Sequence, residues 1–142
     1  MKPIAFVLLL CSVIPAAAQD YPAAIVRVTD GDTLVLSVPA WKGTPFQTIP
    51  VRIVGIDTPE KRKPPAKCVT EVKKGLAAQA FAKTLAQPGD LVILTYLKRD
   101  KFFRIDGKVK LADGRDWATA MIASGMAVPY TGSGPKKKWC QR

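Results

Sequence analysis

The chain has 142 residues, with 22 lysines and arginines against 11 acids, a formal charge of +11 and no histidine. That length has room for one folded domain and not for two. The charge favours a polyanionic partner, with nucleic acid and anionic lipid both fitting, and the missing imidazole removes the commonest general base and the usual transition-metal ligand.

Lys2, an apolar run from Ile4 to Ile14 and Ala16-Ala17-Ala18 follow the order of a secretory leader. Residues 1–18 are therefore expected to be removed, leaving 19–142 as the domain, in the periplasm or the medium. The run is too short to span a bilayer, and Leu10 stands where a lipid anchor on Cys11 would call for a small residue. Loss of Cys11 would leave an even pair, Cys68 and Cys140, which an oxidising compartment favours joining. Such a bridge closes a long loop, for which chain entropy allows about 4 kcal/mol. Two unpaired thiols are the alternative.

β-Forming residues dominate from Ala24 to Val28 and from Thr33 to Val38, separated by Thr29-Asp30-Gly31-Asp32, a hairpin signal. Asp30 serves the turn, whereas Asp32 opens the second strand and is free to point elsewhere. Pro39 to Pro50 reads as a loop or an irregular hairpin arm. Val51 to Ile56 is an apolar strand carrying Arg52, which needs an anionic partner if it lies in a core. Pro59 then stops the strand and lets Asp57, the Thr58 carbonyl and Glu60 project from one corner. That corner is either an oxygen-rich site or a polar turn with an arginine ion pair. The Lys61–Lys67 stretch is basic, proline-rich and expected to be exposed, either solvated or in contact with phosphate.

Val72, Leu76, Ala80, Phe81 and Leu85 recur at helical spacing and predict a helix from Val69 to Ala86, ended by Pro88-Gly89. A strand is expected from Leu91 to Leu97, closed by Lys98-Arg99-Asp100-Lys101. Phe102-Phe103-Arg104 then leads to a short strand at Lys108 to Leu111. Asp113 to Asp116 turns into a second helix, Trp117 to Ser124, with Trp117, Met121 and Ile122 on its core side. The tail from Thr131 is glycine-rich and basic.

Carboxylates and arginines are what remain for chemistry. Asp30, Asp32, Asp57 and Glu60 fall in two strand-end motifs, a concentration that suggests a hard-cation site in so basic a chain. Calcium takes carboxylate and carbonyl oxygens, so Asp32, Asp57 and the Thr58 carbonyl would suit it if the two turns meet. Glu60 could then activate a water while Arg52 and Arg104 hold a phosphate. A straight strand would hold Arg52 and Asp57 about 16 Å apart, a long reach to one phosphate, and a bend at Gly55 would shorten it.

Asp30-Gly31-Asp32-Thr33, then Arg52 ahead of Asp57-Thr58-Pro59-Glu60, then Asp100-Lys101-Phe102-Phe103-Arg104, resemble the three ordered motifs of the staphylococcal nuclease (thermonuclease) family, over about Ile25 to Tyr130. The resemblance implies an α+β, β-rich OB-fold: a five-stranded barrel with two main helices packed against it. It also implies calcium-dependent endonucleolytic hydrolysis of DNA and RNA to products ending in 3′-phosphate. Carried over by position, Asp32, Asp57 and the Thr58 carbonyl become calcium ligands, Glu60 the general base, and Arg52 and Arg104 the phosphate clamps. Lys101, Phe102 and Tyr130 fall near positions that contact the nucleotide.

The third motif departs from the family's Asp-Lys-Tyr-Gly-Arg. Phe103 in place of glycine could alter the turn that aims Arg104, with Arg99 and Lys101 as substitutes. The loop between the first two motifs is long, and the tail is too short for the family's C-terminal helix. Short exported members with a cysteine before the main helix and a terminal Trp-Cys are similar, which supports the Cys68 to Cys140 pairing. The leading expectation is an exported monomer acting on single-stranded or frayed nucleic acid, with no membrane partner beyond export. A non-catalytic barrel that only holds nucleic acid is the alternative, against which all five carried-over side chains are present. Adhesion to the cell envelope is a third reading, resting on charge alone.

Overall fold

β1 (Gln19–Asp30) serves two neighbours in turn. Its first half pairs antiparallel with β5 (Leu91–Arg99), and its second half, from Ala24, pairs with β2 (Thr33–Ser37). The strand starts before the expected Ala24. Pro22 has a strand neighbour on one side only, which is where a residue lacking an N–H is tolerated. β2 pairs antiparallel with β3 (Thr48–Ile53), β3 runs parallel to β6 (Ile105–Leu111), and β6 returns antiparallel to β5. The order β1-β2-β3-β6-β5 closes on itself as a five-stranded barrel, the OB-fold that the motifs implied. This computed structural model describes residues 18–141, so the leader expected over 1–18 lies, but for Ala18, outside the described residues.

Period-two alternation fills the barrel. In β6, Ile105, Gly107, Val109 and Leu111 are buried while Lys108 and Lys110 between them are exposed. Leu34, Leu36, Val51 and Leu94 are sealed from solvent with them, each burial worth about 1.5–3 kcal/mol. The segment expected as a loop from Pro39 to Pro50 holds one 3-10 turn at Pro39–Trp41 and then joins β3 at Thr48, because Ser37 and Val35 of β2 pair with Thr48 and Pro50.

The expected strand Val51–Ile56 is two elements. β3 stops at Ile53, and β4 (Gly55–Asp57) begins at a glycine with φ +88°, the left-handed region that glycine adopts without a Cβ penalty. β4 then pairs with β7 (Val128–Tyr130), a strand absent from the sequence reading.

The helix between them corrects another expectation. α1 (Val69–Leu85) has the predicted extent but turns a different face inward: Glu71, Gly75, Ala78 and Ala82 are buried, whereas Leu76 is 50% exposed and Ala80 is also outside. Val72, Phe81 and Leu85 are only partly covered. Small residues let the helix axis approach the barrel closely, a geometry that larger apolar side chains at the same positions would prevent. α2 (Trp117–Ala123) is N-capped by Asp116, which accepts from the Thr119 N–H. Its Trp117 is fully buried and donates its indole N–H to the Gly31 carbonyl at 2.9 Å, tying α2 to the β1–β2 turn. Met121 is buried beside it, but Ile122, expected on the same side, is 37% exposed.

Cys68 and Cys140 are joined across 72 residues, fastening the C-terminal tail to the start of α1. Among the described residues no helix is long and apolar enough to cross a membrane.

Candidate active site

The corner between β3 and β4 carries the first part of the site. Arg52 leaves β3 and wraps the bend: Nη1 lies 2.9 Å from Asp32 Oδ2 and donates to the Ile53 carbonyl, and Nη2 donates to the Ile56 carbonyl at 3.1 Å. The break at Gly55 thus brings the guanidinium beside the residue preceding Asp57. Asp32 is the anionic partner that an arginine in an apolar strand requires. Its Oδ2 also accepts from the Thr58 hydroxyl at 2.8 Å, and its Oδ1 from the Thr33 hydroxyl at 3.0 Å, so the two turns meet. Asp30, given to the turn in the sequence reading, instead faces Lys61 at 3.0 Å. The Lys61 ammonium also reaches the Thr29 carbonyl, so the start of the basic loop is anchored while most of the loop stays exposed.

Asp57 is buried to 1% exposure. Its Oδ2 accepts from the Trp139 indole at 3.1 Å. Oδ1 lies 2.9 Å from the Lys136 ammonium, yet among the described residues no donor meets it in hydrogen-bonding alignment. Trp139 and Lys136 come from the tail and were missed by sequence reasoning. The Cys140 pairing said where the tail ends but not what it covers.

Glu60 is half-buried on the same corner. Burial pushes its carboxyl above the ordinary value, Lys136 opposes that push, and Asp32, Asp30 and Asp57 add to it. Its backbone is held from below. The Glu60 N–H donates to Glu71 Oε1 at 3.4 Å, and the Lys67 N–H to Glu71 Oε2 at 2.7 Å, so one buried carboxylate of α1 spans the loop between them. Gly75, one turn further on, faces the Glu60 carbonyl so closely that no side chain fits. Both residues were missed. An isolated glycine inside a helical pattern was the available signal for Gly75.

Arg104 approaches from the β5–β6 turn. Its Nε lies 2.7 Å from Asp100 Oδ2, while Asp100 Oδ1 accepts from the Phe102 and Arg104 N–H groups. Phe103 takes φ +60°, a left-handed conformation that glycine adopts without a Cβ penalty. Arg99, offered as a substitute, lies over the Phe46 ring at 4.1 Å and is not among the residues lining the site.

Three adjoining cavities result. One of about 230 Å3 is lined by Asp30, Asp32, Arg52, Thr58, Glu60 and Arg104, with Lys136 at its edge. A second, of about 380 Å3, shares Arg52, Arg104 and Lys136 with the first and adds Lys101, Phe102 and Tyr130. A third, of about 630 Å3, holds Asp57 and Thr58 with Glu60, Lys136 and Trp139. Thr58, Glu60 and Lys136 line both the first and the third cavity, whereas Asp32 lines the first and not the third, and Asp57 the third and not the first. Asp32 and Asp57 offer carboxylate oxygens and Thr58 a backbone carbonyl, donors of the kind a hard divalent cation takes, and Asp57 Oδ1 is buried with no aligned hydrogen-bond donor among the described residues.

Residues 50–141 match the family described as "Staphylococcal nuclease homologue". The chain is similar to an "Uncharacterized endonuclease" of Escherichia coli, 32% identical over 116 residues that cover 82% of this chain and 65% of that protein. It is also 28% identical over 120 residues to endonuclease YhcR of Bacillus subtilis strain 168, covering 82% of this chain and 9% of that one. The chain therefore spans just under two thirds of the Escherichia coli relative and a small part of the Bacillus one. With its family match extending over more than half its length and taking in the Arg52, Asp57, Glu60 and Arg104 positions, the chain belongs to the staphylococcal nuclease homologue family.

Proposed function

We propose that this chain is an exported, calcium-dependent endonuclease that hydrolyses DNA and RNA, single strands preferred, to products ending in 3′-phosphate. The observation that carries the reading is that the half-buried Glu60 lines one small cavity together with Arg52 and Arg104.

Glu60 accepts the proton of the attacking water. Its raised pKa makes it a better base than an exposed glutamate. Arg52 and Arg104 hold the phosphate and neutralise charge as the phosphorus becomes five-coordinate. The bond to the 5′ oxygen then breaks, that oxygen takes up a proton from solvent to become a hydroxyl, and the phosphate stays on the 3′ end. Asp32, Asp57 and the Thr58 carbonyl would hold a calcium ion, which supplies further neutralisation of the phosphate when bound. Phe102, which is 64% exposed, and Tyr130 border the neighbouring cavity with Lys101 and offer faces on which unpaired bases stack, each stack worth about 1–3 kcal/mol without regard to sequence. The Cys68 to Cys140 bridge supports an oxidising destination outside the cytosol.

The test is a cleavage assay on end-labelled single-stranded oligonucleotides with calcium, magnesium or EGTA, with the termini identified. Calcium-stimulated cleavage to 3′-phosphate ends that EGTA abolishes is expected. A salt-dependent gel shift with no cleavage under any of these conditions would leave a nucleic-acid-binding barrel instead.

A further inference from the structure

The tail carries a positive charge into the acid cluster. Among the described residues it has no regular structure after β7, yet it is pinned at three places close together: Cys140 to Cys68, the Trp139 indole to Asp57 Oδ2, and the Trp139 carbonyl to the Lys74 ammonium at 2.9 Å. Trp139 itself is buried to 7% exposure. Three residues upstream, the half-exposed Lys136 side chain passes the Tyr130 ring and ends 2.9 Å from Asp57 Oδ1, close enough to Glu60 to oppose its raised pKa.

A carboxylate as buried as Asp57 is costly without a counter-charge. In this conformation Lys136 supplies it. We propose that Lys136 is an internal counter-cation that competes with the divalent cation for Asp57, so that the pinned tail sets the cation concentration at which the site fills. The proposal rests on Asp57 being a metal ligand.

Two considerations make this a competition and not a simple ion pair. An ammonium and a divalent ion that both contact Oδ1 stand only a few ångströms apart, where repulsion is strong even at partial solvent screening. Lys136 also has somewhere to go: its stem is long, its side chain is 52% exposed, and it already borders the cavity shared by Arg52 and Arg104. Cation binding therefore includes the work of displacing Lys136, and affinity is lowered by that amount.

The experiment is calorimetric titration of calcium into the purified chain without nucleic acid, comparing the parent with Lys136→Met, Lys136→Arg and Asp57→Asn. Lys136→Met is expected to bind calcium about tenfold more tightly. Lys136→Arg, which keeps the charge, should stay close to the parent, and Asp57→Asn should lose binding. If Lys136→Met binds no more tightly than the parent while Asp57→Asn loses binding, the counter-cation role is overturned and the metal site stands. If Asp57→Asn binds calcium like the parent, or if neither the parent nor Lys136→Met binds it, the metal reading falls and takes the Lys136 proposal with it. Thermal melts of each variant establish that folded protein is being compared.

Discussion

Gly75 on α1 lies directly beneath the backbone of Glu60: a Cβ built on this glycine would stand 2.5 Å from both the carbonyl carbon and the carbonyl oxygen of Glu60. The helix and the corner that carries the carboxylate are thus in van der Waals register, with no slack between two backbones.

Gly75→Ala separates two opposing effects. In an exposed helix the change would add about 1 kcal/mol through propensity. Here the methyl group has a backbone against it, so overpacking should outweigh that gain and the variant should lose about 1–3 kcal/mol. Cleavage should fall by at least about tenfold, because Glu60 moves with the contact. Urea denaturation and single-turnover cleavage measure the two. A more stable variant of unchanged activity would mean that the close approach is not present in solution.

Glu60→Gln preserves shape and removes the proton acceptor. Cleavage should drop by about 100-fold or more, the usual worth of a positioned general base, while affinity for a single-stranded oligonucleotide stays within a few-fold of the parent. Loss of binding in parallel with cleavage would instead assign Glu60 to substrate or cation binding. Equal cleavage would remove it from the chemistry altogether.

Asp100 makes part of the fold sensitive to acid. Burial disfavours its charged form, but the Arg104 N–H, the Arg104 guanidinium and the Phe102 N–H outweigh burial and hold the carboxyl below its ordinary value of 3.8. A carboxyl whose pKa is depressed on folding stabilises the fold in full above its unfolded pKa, and that contribution is lost as pH falls through the folded pKa. Asp100→Asn should therefore lose about 1 kcal/mol near pH 7, and its difference from the parent should shrink as the pH falls below 3.8 and through the folded pKa. Its melting temperature should vary less steeply with pH across the acid limb. A uniform offset at every pH would point to packing and not to charge.

Phe103 is the residue whose backbone is out of keeping with its side chain. It holds φ +60° with 77% of its surface exposed, so little packing offsets the left-handed conformation. Phe103→Gly should raise stability by about 0.5–1 kcal/mol, less than the full cost of that conformation because glycine is also freer in the unfolded chain. Phe103→Val should lower it, since branching at Cβ makes the same φ harder to hold. Melting temperatures of the pair measure this. If both changes destabilise, the aromatic ring makes a contact that outweighs the backbone strain.

What the amino-acid order determined by itself was local. The Asp30-Gly31-Asp32 stretch marked a hairpin, a run of β-forming residues picked out β2, Pro59 stopped a strand at a carboxylate pair, and the ordered motifs placed Asp32, Arg52, Asp57, Glu60 and Arg104 on an OB-fold. Each of these depends on a few neighbouring residues and their backbone preferences. Tertiary structure decided what depends on distant partners: that α1 docks through Glu71, Gly75, Ala78 and Ala82 and not through its larger apolar residues, that β7 finds β4, and that the tail returns over Asp57 with Trp139 and Lys136. Helical spacing shows that a helix has faces, but the closeness with which another backbone can approach selects among them. A basic tail shows charge, but only the disulfide and the buried indole bring that charge to a particular carboxylate.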